Sequence, residues 1–307
     1  MTITVIIPAT NLPPTLTRAL DAIAIAEAPP EQLLVIEDSS LTHPALARNA
    51  GAHDATGDLL VFIDADVTVH PDVFVRIRRA FAADPSLVAL FGSYDDTPDA
   101  PSVVSRFRNL LHHYVHQQNP GPATTFWAGL GAIRRTAFEA AGGFSVHPIE
   151  DIELGIRLTA SGARIILDPR IQGTHLKAWN LVSMVRTDLL VRGIPWVRLL
   201  LEYRDSASTS ALNLSWSHRL SALASLGIAG AIILGWWWVA VAALALLIAL
   251  NVPFYRFLTS RLGILRLPAG IGLHVVHHLT SVAAVPLGLW QHLRRSDAAT
   301  ARTTISP

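Results

Sequence analysis

The chain has 307 residues, a net charge of +1, no cysteine, 51% hydrophobic residues and 15% charged residues. A charged share this far below the ~25% of an ordinary soluble chain points to a membrane component. The near-neutral balance excludes a general attraction to nucleic acid, and the lack of cysteine excludes disulfides and thiolate metal sites.

In chain order, residues 2–8 are a β-rich run, ended by Asn11, Pro13 and Pro14. No basic segment precedes this short apolar run, so it does not read as a signal peptide, and the N-terminal half is expected in the cytoplasm. Residues 16–27 have helical spacing, 32–37 form a second strand, 44–55 a helix and 59–64 a third strand. A further amphipathic helix over 72–83 is opened by Pro71, and 87–91 is again strand-like. This alternation predicts an α/β domain with a mainly parallel twisted sheet flanked by helices. Such sheets bind ligands at the carboxyl ends of their strands, where Asp38, Asp64 and Asp66 fall.

The last third has a different character. Residues 220–255 form 36 positions without Asp, Glu, Lys or Arg, and 267–293 another 27. A helix of 36 residues is about 54 Å long, against a hydrocarbon core of roughly 30 Å. Two spans turning near 235–238 are therefore expected, with Trp236, Trp237 and Trp238 at an interface. A third span is expected over about 267–289. The alternative is a buried helical hairpin of a soluble protein. Arg256, Arg261 and Arg266 lie between spans two and three, which places that loop in the cytoplasm with the N-terminal half. Three spans would leave Arg294 and Arg295 on the far side, a conflict that a re-entrant third segment removes. Residues 179–203 mix apolar side chains with Arg186, Arg192 and Arg198, a composition that suits helices lying on a bilayer and bringing the acceptor-side face of the catalytic domain to the lipid. The expected division is 1–178 catalytic, 179–218 interfacial, 219–293 transmembrane and 294–307 a disordered tail, in a multi-pass protein of the plasma or inner membrane.

The strongest chemical signal is the strand ending Asp64-Ala65-Asp66. Residues i and i+2 of an extended strand point the same way, and two carboxylates facing one point repel unless a cation lies between them. Mg²⁺ or Mn²⁺ is the natural partner, and such ions hold diphosphates. Taken alone, the pair reads equally well as a solvated turn after a strand.

Several segments, in order, resemble the family 2 glycosyltransferases of GT-A fold. They are Val5-Ile6-Ile7-Pro8-Ala9-Thr10-Asn11, Val35-Ile36-Glu37-Asp38-Ser39-Ser40 (with Glu37 where the family has Asp), Ala47-Arg48-Asn49-Ala50-Gly51 and the Asp64-Ala65-Asp66 strand end. Gly129-Leu130-Gly131 through Arg135, then Gly142-Gly143-Phe144 and Glu150-Asp151, complete the set, and the likeness covers about residues 2–178. The resemblance implies a nucleotide-sugar site at Pro8, Thr10, Asp38, Arg48, Asp64 and Arg192. Asp38 would accept from the base ring, which favours a UDP-sugar; otherwise it is a turn residue. Arg48 would meet the nucleotide or its phosphates; otherwise it is a solvated helix charge.

The same resemblance implies that Asp64 faces the ribose or metal and that Asp66 is the main metal ligand, with His175 a third candidate or a structural histidine. Asp151 matches the general base of an inverting transfer, and Glu150 would orient the acceptor or Asp151. A helix N-terminus favours both acids in any case. Trp127, Gly129 and Gly131 match the acceptor side. Many relatives carry Gln-x-x-Arg-Trp, whereas here three residues separate Arg192 from Trp196, which lowers the expectation of a polymerase. His112, His113 and His116, and His274, His277 and His278, are expected in packing and hydrogen bonds.

The expected function is metal-dependent, inverting transfer from a nucleotide-sugar, preferably UDP-linked, to a hydroxyl-bearing lipid at the bilayer. The rivals are a polyprenyl-phosphate sugar synthase and an inactive membrane scaffold of the same fold.

Overall fold

The structure, a computed structural model, describes residues 1–203 and 216–303, with side chains described as far as Arg294. It divides into two compact units, Met1–Ala178 and Trp179–Pro307.

The first unit runs β1 (Ile3–Pro8), α1 (Leu16–Ala24), β2 (Gln32–Ile36), α2 (Pro44–His53), β3 (Leu59–Ile63), β4 (Val67–Val69), α3 (Val73–Ala83), β5 (Leu87–Tyr94), α4 (Val103–Gln118), β6 (Gly121–Ala123), β7 (Leu130–Arg134), α5 (Arg135–Ala140), α6 (Glu150–Ala160) and β8 (Arg164–His175). The strand order is β2-β1-β3-β7-β5-β8-β4, with β6 also on β8. Strand β1 pairs in parallel with β2 and β3, and β5 does so with β8. Strand β7 lies antiparallel between β3 and β5, and β4 and β6 run antiparallel to β8. The sheet is therefore mixed, where a mainly parallel one was expected. The cause is the direction of entry: Leu130 begins β7 opposite Ile63, the last residue of β3. The chain thus arrives at the carboxyl end of the sheet and runs backwards through it.

Strand periodicity sorts the core onto two faces. Ile3, Val5, Ile7, Leu59, Val61 and Ile63 pack with Phe74, Ile77 and Phe81 of α3. Ile6, Leu60 and Phe62 face the other way, onto Phe138, Phe144 and Leu154. The ring of Phe62 lies 5.0 Å from that of Phe144 at 72°, an edge-on contact aromatic pairs favour. This second face carries α6, and with it Glu150 and Asp151.

The second unit is helical: α7 (Leu181–Arg186), a π-helical stretch Thr187–Gly193, α8 (Ile194–Glu202), α9 (Trp216–Ile233), α10 (Trp237–Leu250), α11 (Val252–Leu262), a 3₁₀ turn Ile264–Arg266, and α12 (Leu267–Thr303). Residues 204–215 of the expected interfacial segment lie outside the described residues. The turn between α9 and α10 falls where expected, with Gly235 at φ 72°, a conformation that costs a side-chain-bearing residue.

Among the described residues, three separate full-length spans are not seen. Helix α10 has 14 residues, about 21 Å, short of the roughly 30 Å of a hydrocarbon core. It gives way to α11 through an 82° bend. Pro253 in the first turn of α11 explains the break, because proline has no N–H to continue the ladder of α10 and its ring would clash with the carbonyl four residues earlier. The side-chain amide of Asn251 caps the end by donating to the Leu247 carbonyl and Ser221 Oγ. Among the described residues, one helix, Ile264–Arg294, is long and apolar enough to cross a membrane, or two if the bent α10–α11 pair is a single span. Helix α12 runs to Thr303.

Candidate active site

Strand β3 delivers Asp64 to the carboxyl edge of the sheet. The Asp64 backbone N–H donates to the Gly129 carbonyl at 3.1 Å, and the Asp64 carbonyl accepts from Val67 N–H, closing a tight turn into β4. Thr15 Oγ1 ties that turn to the start of α1 by donating to the Ala65 carbonyl at 2.8 Å. The antiparallel register then sets Val67 opposite His175, and Leu176 N–H donates to the Asp66 carbonyl. His175 Nε2 lies 3.6 Å from Asp66 Oδ2. Its buried ring stacks on Tyr94, centroids 4.1 Å apart and 12° from parallel.

Arg48 is the hub of the site. It projects from α2, is only 5% exposed, and donates through Nη2 to Asp64 Oδ1 at 2.7 Å and through Nη1 to Glu150 Oε1. The resemblance implies Arg48 on the nucleotide or its phosphates and Glu150 on the acceptor or Asp151. In the fold they hold each other, because a buried guanidinium needs carboxylate partners and its fork fits two of them. Asp151, the next residue of α6, accepts from the Ala128 N–H at 3.1 Å. The segment joining β6 to β7 thus holds Asp64 through Gly129 and Asp151 through Ala128.

Four carboxylates, Asp64, Asp66, Glu150 and Asp151, share this edge with one buried arginine, and their protonation reflects it. Burial and repulsion from Asp151, against the attraction of Arg48, push Glu150 up to about 7. Asp64 is raised mainly by burial, with the charges of Asp66 and Asp151 adding and Arg48 opposing. Burial also resists the ionisation of Asp66, but His175 and the charge of Lys177 more than offset it and hold Asp66 below the usual carboxylate range. Two neighbouring carboxyls shifted in opposite directions are a mark of functional sites.

Asp64, Asp66 and His175 were expected to form one metal-ligand set. Among the described residues, no three His, Asp or Glu side chains gather closely enough for that, because Asp64 is drawn to Arg48. Asp66 and His175 remain as a pair. Mg²⁺ and Mn²⁺ keep several waters and take one or two protein ligands beside substrate phosphates, so this donor pair, in an edge with excess negative charge, fits such an ion.

The other predicted residues of the first unit are spread along the same edge. Pro8 ends β1 beside Ile36 of β2, followed by Thr10. Asp38 is exposed just beyond β2 and accepts from Ser40 N–H at 2.9 Å, and hydrogen bonds from Ser40 hold its carboxyl low. Trp127 packs its ring 4.9 Å from Tyr94 and 4.8 Å from His112. A Cβ on Gly129 would lie 2.4 Å from the Trp127 ring, and one on Gly131 would lie 2.4 Å from the Trp127 carbonyl oxygen. These glycines therefore shape the Trp127 loop. Arg192 is exposed on the π-helical stretch of the second unit. His113 and His116 bond through Nδ1 to the carbonyls of Tyr94 and Gly92, in packing as expected.

Three contributors were missed. Tyr94 lies beyond residue 91, where the sequence reading ended that strand. Lys177 closely follows His175 and carries no motif. Asn49 clamps Phe144, donating to its carbonyl and accepting from its N–H, and so fixes the Gly142-Gly143 turn, both glycines having positive φ.

Residues 42–142 match glycosyl transferase family 2. The chain is 29% identical over 134 residues to the pre-mycofactocin glycosyltransferase of two Mycobacterium tuberculosis strains, a match covering 41% of this chain and 28% of the relative's length. Among solved structures, the mannosyltransferase PcManGT from Pyrobaculum calidifontis, in complex with GDP-Man and Mn²⁺, matches with a TM-score of 0.57 and 19% identity over 94% of this chain and 87% of that one. This likeness shows the GT-A fold.

Proposed function

We propose that this chain, a member of glycosyl transferase family 2 through residues 42–142, transfers a sugar from a nucleotide-sugar to a hydroxyl-bearing, membrane-associated acceptor with inversion at the anomeric carbon. The observation that carries the reading is the position of Asp151. Its carboxylate is tethered to the Ala128 backbone next to the Trp127 loop, and its charge acts on Asp64, Glu150 and Arg48.

Asp66 and His175 would hold a Mg²⁺ or Mn²⁺ ion, which would supply positive charge to the donor's diphosphate as it leaves. Asp38, at the edge formed by Pro8 and Thr10, accepts a hydrogen bond from the base ring, which suits UDP. Asp64 is fixed by Arg48 and faces the ribose. The acceptor lies against Trp127. Its hydroxyl gives its proton to Asp151 as the oxygen bonds to the anomeric carbon and the bond from that carbon to the diphosphate oxygen breaks. Glu150, locked to Arg48, keeps the first turn of α6 in place and so holds Asp151. Helix Ile264–Arg294, by its length and apolarity, anchors the chain in a bilayer, with the catalytic unit on the cytoplasmic side.

Two measurements test this. UDP and GDP are titrated into the purified chain with and without Mn²⁺. Metal-dependent binding that is lost in Asp66→Ala is expected; its absence would point to an inactive scaffold. Asp151→Asn is expected to lower turnover about 10²–10⁴-fold, the usual contribution of a positioned base, with nucleotide affinity unchanged. Retained turnover would instead indicate an acceptor that is already anionic, such as a polyprenyl phosphate, which needs no base.

A further inference from the structure

We propose that α11 and the turn after it form a docking surface for anionic phospholipid headgroups; this rests on the bilayer reading above. Helix α11 buries one face, Phe254, Tyr255, Leu258 and Leu262, and exposes Arg256 and Arg261. At Gly263 the backbone turns with φ 82°. The next two side chains stand out of the fold, Ile264 at 65% and Leu265 at 94% exposure, and exposed Arg266 follows. Two bare aliphatic side chains are thus flanked by three arginines, at the point where Ile264–Arg294, a helix long and apolar enough to cross a membrane, begins.

The geometry suits an interface. Helix α11 turns 82° from α10, so if α10 is inserted, α11 lies across the bilayer normal. A helix in that position buries apolar side chains a few ångströms into the headgroup region and leaves its cations at phosphate level. Ile264 and Leu265 supply the wedge. Arginine forks pair with phosphate through two parallel hydrogen bonds.

Charge decides which lipid. Between Asp205 and Asp297 the chain has no acidic residue and six arginines, Arg219, Arg256, Arg261, Arg266, Arg294 and Arg295. Half of these cations fall in the eleven positions from Arg256 to Arg266. A zwitterionic headgroup offers its phosphate together with a competing cation, whereas an anionic one offers net negative charge.

The test reconstitutes the full chain with phosphatidylcholine alone and with phosphatidylcholine containing phosphatidylglycerol, then measures flotation and the lipid retained on purification. Wild type should retain phosphatidylglycerol above its bulk proportion. The triple variant Arg256→Gln, Arg261→Gln, Arg266→Gln should lose this enrichment, about five-fold for each arginine neutralised, which corresponds to ~1 kcal/mol per basic side chain at an anionic surface. The corresponding triple lysine variant should keep it. Equal retention of both lipids by wild type, or unchanged enrichment in the glutamine variant, would overturn the headgroup site and leave the anchor standing. A chain that floats with neither vesicle would overturn the anchor as well.

Discussion

The two units handle their difficult groups in opposite ways. In Met1–Ala178 the problem is buried charge, and the fold answers with partners: Arg48 between Asp64 and Glu150, Asp66 beside His175, Asp151 on a backbone N–H. In Trp179–Pro307 the problem is apolar surface, and the fold leaves it uncovered. Among the described residues, six large hydrophobic side chains are exposed in the first unit and twenty-five in the second. Trp238 is 87% exposed and Leu265 94%. A water-soluble surface seldom shows large contiguous apolar patches, and the second unit departs from that pattern. The lesson is that burial has a different meaning in each unit: a charge without a partner would destabilise the first, whereas uncovered apolar side chains are the ordinary state of the second.

The comparison can be broken hardest at Arg48. Arg48→Met should destabilise the full chain by about 3–5 kcal/mol in denaturant melts, because it leaves Glu150 buried beside Asp151 without its cation. Adding Glu150→Gln should restore much of that loss, whereas a surface pair would show little coupling. The protonation of Glu150 sharpens the same point. Its carboxyl titrates higher in the folded chain, at about 7, than at its ordinary 4.5. The folded state therefore binds the proton more tightly, and Glu150's contribution to stability is complete below the ordinary value and is lost as pH rises through the folded one. Glu150→Gln should flatten that part of the curve of unfolding midpoint against pH.

A smaller effect is expected at Gly155 of α6. Alanine is the better helix former, yet its Cβ would stand 2.2 Å from the Phe126 backbone nitrogen. Gly155→Ala should therefore cost about 1–3 kcal/mol, read as a lower melting temperature. The smallest change belongs to the second unit: Gly235→Ala, at positive φ but with open space around it, should cost about 1 kcal/mol, read as a lower melting temperature in detergent.

Much of this was legible from residue order. The strands at 2–8, 32–37 and 59–64 appear with ends shifted by at most one residue, and the helices at 44–55 and 72–83 with ends shifted by at most two. The acidic pair at the tip of β3 and the pair at the start of α6 appear where the motifs placed them. The turn near Gly235 was legible because three tryptophans and a glycine interrupt a uniform apolar run. The length of α10 was not, because a charge-free stretch does not reveal that Asn251 and Pro253 end a helix inside it.

Periodicity, breakers and charge-free runs act over a few residues, so residue order alone determined which segments are strands or helices, where acids meet strand ends, and that the last third differs from the rest. Partner choice is non-local. Arg48 and Glu150 are 102 positions apart, and Asp66 meets His175 only through the antiparallel register of β4 and β8. The reversed direction of β7, the engagement of Arg48 by two carboxylates and the separation of Asp64 from the Asp66–His175 pair were decided by tertiary structure. Each depends on which edge of the sheet is free to pair and which charge is nearest once water has been removed.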